Sequence, residues 1–270
     1  MKPAREKNSN FPSGVEAFFL FVALFVLEYV LGLALYDARH VLGLHPSQLM
    51  VMVVLLGNGL LLSGILHFKG MGYRELLHPS AASPWAAVVF LIPLVLLLVP
   101  GLLLVFCSVM ELVVAWFPMS RAEEAMFASM DGLDLATVLA ICVLAPVVEE
   151  MLFRGVILRS FLQQYDRRQA IWGSALLFGV AHLNIYQLVV AVGMGLLLGW
   201  LYERSRSLIP CMALHAAYNT GTVALSATLG EGATSPVVSA SAPAAAWGAA
   251  LAAALLASWG LRRLLGKAAV

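Results

Sequence analysis

The chain has 270 residues, of which 61% are hydrophobic and 11% charged, and its formal net charge is +1. A soluble domain carries about 25% charged residues, so most of this chain is built to avoid water. The near-zero net charge also excludes a bulk basic field that would attract nucleic acid. Cys107, Cys142 and Cys211 sit in apolar runs with no CxxC pair, which argues against a disulfide framework or a cysteine-based zinc site.

A basic tail (Lys2, Arg5, Lys7) leads into an apolar stretch from Phe18 to Leu35. A signal peptide would have a shorter apolar core and a small-residue cleavage site after it. Here Tyr36-Asp37-Ala38-Arg39 follows, so the stretch reads as a retained first span. A membrane helix needs about 20 mostly apolar residues. Eight segments qualify, at roughly 15–36, 47–67, 84–117, 134–164, 170–185, 187–203, 207–226 and 244–262. The third is too long for one straight span, and Pro93 and Pro100-Gly101 are expected to kink it. The fifth is short and joins the sixth around Asn184-Ile185-Tyr186. Residues 227–245 are rich in Gly, Ser, Ala and Pro and read as a loop.

Orientation follows from the positive-inside rule. With the N-terminus in the cytoplasm, the inner segments hold Lys2, Arg5, Lys7, Lys69, Arg74, Arg159, Arg167, Arg168, Arg204, Arg206, Arg262, Arg263 and Lys267. The outer loops hold only Arg39 and Arg121, together with Asp37, Glu123, Glu124, Asp131, Asp134 and Glu231. The predicted fold class is therefore all-α: a polytopic transmembrane helix bundle of about eight spans, with both termini cytoplasmic. Three spans fall in residues 1–133, a core in 134–225, and a loop with the last span in 226–270.

Arg154 belongs to neither side. It lies in the fourth segment, in the run Ala145-Pro146-Val147-Val148-Glu149-Glu150-Met151-Leu152-Phe153-Arg154. A charged residue at the centre of a membrane helix costs about 2.5–3.5 kcal/mol to insert, so these groups must face the bundle interior and pair. Glu150 and Arg154 are four apart and share a face, which predicts an ion pair. The bland reading of that pair is a structural clamp. Glu149 is rotated by about 100° and needs another partner. Its bland reading is an interhelical hydrogen bond. Pro146 removes a backbone donor just before the pair and is expected to bend the helix.

Two later segments supply partners. One carries Phe178-Gly179-Val180-Ala181-His182, with Phe178 placed to pack under the His182 ring. The other carries His215-Ala216-Ala217-Tyr218-Asn219, which puts His215 and Asn219 on one face. Measured from the cytoplasmic boundary, Glu149 lies about 20–24 Å deep, His182 and Asn219 about 18 Å, and His215 about 12 Å. The four can therefore converge on one cavity. A lone histidine in an apolar helix is usually a satisfied core residue. Two histidines, an asparagine and an unpaired glutamate on three spans are harder to explain that way.

Glutamate with histidine is equipment for activating water, and histidine and asparagine donors suit an oxyanion. No Gly-x-Ser-x-Gly elbow and no His-Glu-x-x-His helix occurs in the sequence. Two mechanisms fit the same residues. Either Glu149 and His182 activate a water without metal, or His182, His215 and Glu149 ligate one divalent ion, zinc by ligand type. Spacing does not decide between them, so the cofactor is either none or one such ion.

Glu-Glu-x-x-x-Arg, Phe-x-x-x-His and His-x-x-x-Asn, each in its own apolar segment and in this order over residues 134–225, resemble the CPBP intramembrane proteases. That family includes the type II CAAX prenyl endopeptidases and proteins similar to lysostaphin resistance protein A. The Phe153-Arg154-Gly155 continuation is also similar. The resemblance implies an intramembrane endopeptidase with Glu149 as base and His182 as its partner on the water. His215 and Asn219 would complete the site, and Glu150 and Arg154 would support it. It implies membrane-associated protein or peptide substrates of the CAAX, leader or sorting-tail kind. The family is often labelled metalloprotease, although a metal-free glutamate mechanism is favoured for its CAAX-cleaving members. Alanine-rich composition without organelle signals points to a prokaryotic plasma membrane. The competing reading is a proton-coupled transporter, for which Glu28 and Glu111 would be additional relay carboxylates. No inverted repeat supports it. A third reading, a degenerate non-catalytic scaffold, predicts loss of Glu149 or His182, and both are present.

Overall fold

The computed structural model describes residues 10–128, 134–229 and 243–266, all helix and connecting turns without a strand. Lys2, Arg5, Lys7, Asp131, Glu231 and Lys267, used above for orientation, and most of the 227–245 loop lie outside the described residues. The helices are α1 (Gly14–Leu42), α2 (Pro46–Lys69), α3 (Tyr73–Leu77), α4 (Pro84–Trp116), α5 (Arg121–Ala128), α6 (Leu135–Gln164), α7 (Arg167–Val180), α8 (Ile185–Ser205), α9 (Ile209–Leu229) and α10 (Ala244–Leu265).

Six of these, α1, α2, α4, α6, α8 and α10, are long and apolar enough to cross a membrane. An all-α polytopic bundle follows. The other two segments expected to span, α7 and α9, do not meet that length and hydropathy. The α7 helix has 14 residues and rises about 21 Å, short of a hydrocarbon core of about 30 Å. The α9 helix has 21 residues, but His215, Tyr218, Asn219, Thr220 and Thr222 dilute its apolar character.

The centre of the bundle is α6. Packed round it are α2, α3, α7, α8 and α9, while α4 packs on α8, α9 and α10. The α7 and α8 backbones approach closely, so that a side chain at Gly195 would put its Cβ 2.9 Å from the Cα of Ala175. Phe18, Phe19, Val26 and Tyr29 on α1 are exposed, as a lipid-facing helix requires. Both ends of α1 are capped. Ser13 and Glu16 form a reciprocal capping box, and Gly43 closes the helix in the left-handed region at φ 65.

Proline shapes both long central helices. Ala87–Leu91 in α4 and Ala140–Leu144 in α6 are wound one residue wider than an α-helix, ahead of Pro93 and Pro146 respectively. A second wide stretch, Met151–Leu158, follows the glutamates. The Glu149–Glu150 pair thus sits in one α-helical turn, Ala145–Glu150, between two π-wound stretches, a geometry that recurs at functional sites.

Outside the bilayer segment, Asp134 caps α6 by accepting the Thr137 backbone N–H at 2.8 Å. The Ser47 hydroxyl also donates to Asp134, tying the start of α2 to the start of α6. The Ser47 hydroxyl and then the Thr137 N–H hold the Asp134 carboxyl down to about 2. A depressed carboxyl contributes stability above its unfolded value of about 3.9, and that contribution is lost as pH falls through about 2. Detergent-solubilised protein is therefore expected to lose melting temperature more steeply between pH 4 and 2 than Asp134→Asn, which keeps a cap but cannot titrate. Parallel pH profiles would remove this tie from the stability of the fold.

Candidate active site

The Glu150 and Arg154 side chains are fully buried, and Arg154 Nη1 donates to Glu150 Oε1 at 2.7 Å, as the i,i+4 spacing predicts. Arg154 Nη2 reaches the Gly195 carbonyl at 3.5 Å, and the guanidinium lies over the Phe178 ring, 4.4 Å from its centroid. This cation is therefore held by an anion, a backbone carbonyl and an aromatic face, each from a different helix. Among the described residues, Glu150 Oε2 and Arg154 Nε have no hydrogen-bond partner.

His215 joins the two glutamates. Its Nδ1 lies 2.9 Å from Glu150 Oε1. Glu150, ion-paired with Arg154, is an acceptor, so His215 Nδ1 is the donor, and the ring turns Nε2 towards Glu149. Nε2 stands 3.8 Å from Glu149 Oε2, too long for a hydrogen bond but within ion-pair distance. Glu149 keeps 31% of its side-chain surface exposed while Glu150 keeps none. Adjacent carboxylates thus have opposite environments. Glu150 is locked in protein, and Glu149 is partly open.

The other two predicted site residues are placed differently. His182 lies just past the end of α7, in the turn before α8, where Leu183 takes φ 55. Its Nδ1 donates to the Phe178 carbonyl at 3.0 Å, leaving Nε2 as the free ring nitrogen. No hydrogen bond or ion pair joins His182 to Glu149 among the described residues. Asn219, one turn beyond His215, donates Nδ2 to the Ile141 carbonyl at 2.9 Å. In the wide winding of α6 that carbonyl would face the N–H of residue 146, which Pro146 lacks. Asn219 satisfies the acceptor that Pro146 orphaned, and thereby fixes α9 against α6.

Phe178 is the hub of the cluster. Its ring makes edge contacts with His182 at 5.2 Å, His215 at 5.6 Å and Phe153 at 5.1 Å. The Phe-x-x-x-His spacing predicts only the first. Asn184 carries no signal in the motifs, yet it caps α8 by accepting the Gln187 N–H at 2.8 Å and holds the His182 carbonyl at 3.3 Å. It anchors the turn that presents His182.

The zinc alternative requires three convergent donors. Among the described residues, no three His, Cys, Asp or Glu side chains converge to hold a metal ion. Glu149 and His215 Nε2 stand together as two donors, where a zinc site takes at least three protein ligands.

Residues 131–221 match the family model for type II CAAX prenyl endopeptidase Rce1-like proteins. The match runs to α9 and contains Glu149, Glu150, Arg154, His182, His215 and Asn219. It leaves α1 to α5 and α10 outside. Comparison with curated proteins and with solved structures returned no match.

Proposed function

We propose, from the premise that residues 131–221 form an Rce1-like domain of the CPBP intramembrane proteases, that this integral membrane protein hydrolyses peptide bonds of membrane-associated substrates. The catalytic unit is assigned to residues 134–225. The observation that carries the reading is the contrast between Glu149, open and 3.8 Å from His215 Nε2, and Glu150, sealed against Arg154.

Glu149 takes a proton from water as the oxygen attacks the scissile carbonyl. His215, with Nδ1 committed to Glu150, offers Nε2 beside Glu149 as the second proton site. The proton removed from water then passes to the leaving amine, and the free carboxylate and amine are released. His182, with Nδ1 fixed by the Phe178 carbonyl, presents Nε2 at the mouth of the same cluster, where it can bind the substrate carbonyl when protonated. Arg154 and Glu150 orient His215 and touch no reactant. Substrates are prenylated C-terminal tails, leader peptides or sorting tails, and the membrane is a prokaryotic plasma membrane with both chain ends on its cytoplasmic side.

The test compares the termini of membrane proteins, by mass spectrometry, in cells carrying the wild type or Glu149→Ala. A small set of proteins is expected to keep an extra terminal segment only in the variant. Identical termini, with both proteins inserted at equal level, would refute the protease reading.

A further inference from the structure

Glu28 lies outside the family match, in the middle of a lipid-facing helix, where an unpaired carboxylate is costly. Its side chain is not turned to lipid. Asn58 on α2, itself buried, donates Nδ2 to Glu28 Oε1 at 2.9 Å and to its own Val54 carbonyl at 3.0 Å. The adjacent Gly57 makes room for the acid, since a Cβ there would stand 2.6 Å from Glu28 Cγ. Two consecutive positions of α2 thus form a slot for one carboxylate.

The slot is level with the active site. The base of α1 is bolted to the end of α6, with the Gly14 N–H donating to the Tyr165 hydroxyl at 3.0 Å and Gln164 Nε2 to the Pro12 carbonyl at 2.9 Å. From that common base, Glu28 is 14 residues up α1 and Glu149 is 15 residues back along α6. At about 1.5 Å per residue the two stand about 21 and 22 Å above it. Between them, α2 packs on α6 at both Leu135–Leu139 and Ala145–Glu150. The helix that holds Glu28 through Asn58 is thus the one that touches the turn carrying Glu149.

We propose that Glu28 is a positioning residue of the site: a second carboxylate, delivered by α1 and held by Asn58, that orients the attacking water by accepting the O–H that Glu149 does not take. Water offers two O–H donors, and a carboxyl oxygen that carries no proton accepts. Two acids at one level can therefore fix both hydrogens and leave the oxygen lone pair to the substrate carbonyl. Glu150, Arg154 and His215 Nδ1 are committed to one another, and His215 Nε2 is the proton site of the reading above. The inference rests on the protease reading, and it gives the N-terminal pair of helices a part in the chemistry.

The test follows the rate of terminal processing after induction of wild type, Glu28→Gln, Glu28→Asp, Gly57→Ala and Glu149→Ala, with membrane level and melting temperature recorded for each. Glu28→Gln keeps the size and the Asn58 contact but offers the water an amide. It is expected to slow processing at least tenfold with melting unchanged, and Glu28→Asp to recover part of the rate. Gly57→Ala, which displaces the intact carboxylate, is expected to slow processing as well and replaces Glu28→Gln should that variant fail to insert. Processing by Glu28→Gln, or by Gly57→Ala in its place, within twofold of wild type overturns this inference alone. Termini that are identical in wild type and Glu149→Ala overturn the protease reading and this inference with it.

Discussion

Arg154→Ala is expected to lower the stability of the purified protein by about 3–5 kcal/mol, the cost of breaking a buried ion pair from one side. The figure follows from what the substitution leaves behind. Glu150 is fully buried and loses its 2.7 Å partner, Oε2 already has none among the described residues, and only the His215 Nδ1 donor at 2.9 Å remains. The Phe178 ring also loses the cation above it. Because His215 takes its orientation from Glu150, activity should fall together with stability, in contrast to substitutions at Glu149. Thermal unfolding in detergent, with yield from membranes, measures the loss. A melting temperature within a degree or two of wild type would show that Glu150–Arg154 is not the clamp described here.

The Glu150–Arg154 ion pair was legible in the sequence because it is local. Four-residue spacing fixes a shared helix face whatever surrounds it, so Glu150–Arg154 and the packing of Phe178 on His182 could be read from the chain. What lies between helices could not. Spacing places His215 and Asn219 on one face of α9 but is silent on what that face meets. In the structure His215 meets the glutamates, whereas Asn219 meets the carbonyl that Pro146 frees. The depth count placed His182 level with Glu149, but depth is one coordinate of three, and no hydrogen bond or ion pair joins them among the described residues. Hydropathy found α7 and α9 as segments, yet α7 has only 14 residues and α9 is diluted by His215, Asn219 and its threonines. The Glu28 slot was hidden for the same reason. Glycine and asparagine side by side in an apolar helix mean nothing until the acid on the neighbouring helix is seen to fit them.

The adjacent glutamates give the sharpest contrast, because conservative substitutions of the two should fail in opposite ways. Glu149→Gln keeps volume and polarity at a partly open position whose ion-pair partner among the described residues is His215 Nε2 at 3.8 Å. Nothing buried is left uncompensated, so melting should stay within about 1 kcal/mol of wild type, as for most changes away from such features. An amide cannot accept the proton of an attacking water, however, and general-base catalysis contributes about 10²–10⁴-fold. Turnover should therefore drop by at least that range. Glu150→Gln removes a charge that Arg154 and His215 both use. It strands a buried guanidinium, and the protein should lose stability on the scale expected for Arg154→Ala, with residual turnover in whatever fraction stays folded. Measuring melting and processing rate on both variants in one detergent separates the roles. If Glu149→Gln processes substrate at the wild-type rate, the open carboxylate is not the base, and the assignment of the whole cluster to hydrolysis falls. If Glu149→Gln is inactive but also unstable, the open position carries structural weight that its exposure does not account for. Only an inactive, stable Glu149→Gln beside an unstable Glu150→Gln matches a site in which one carboxylate is sealed to hold the histidine and its neighbour is left open to react.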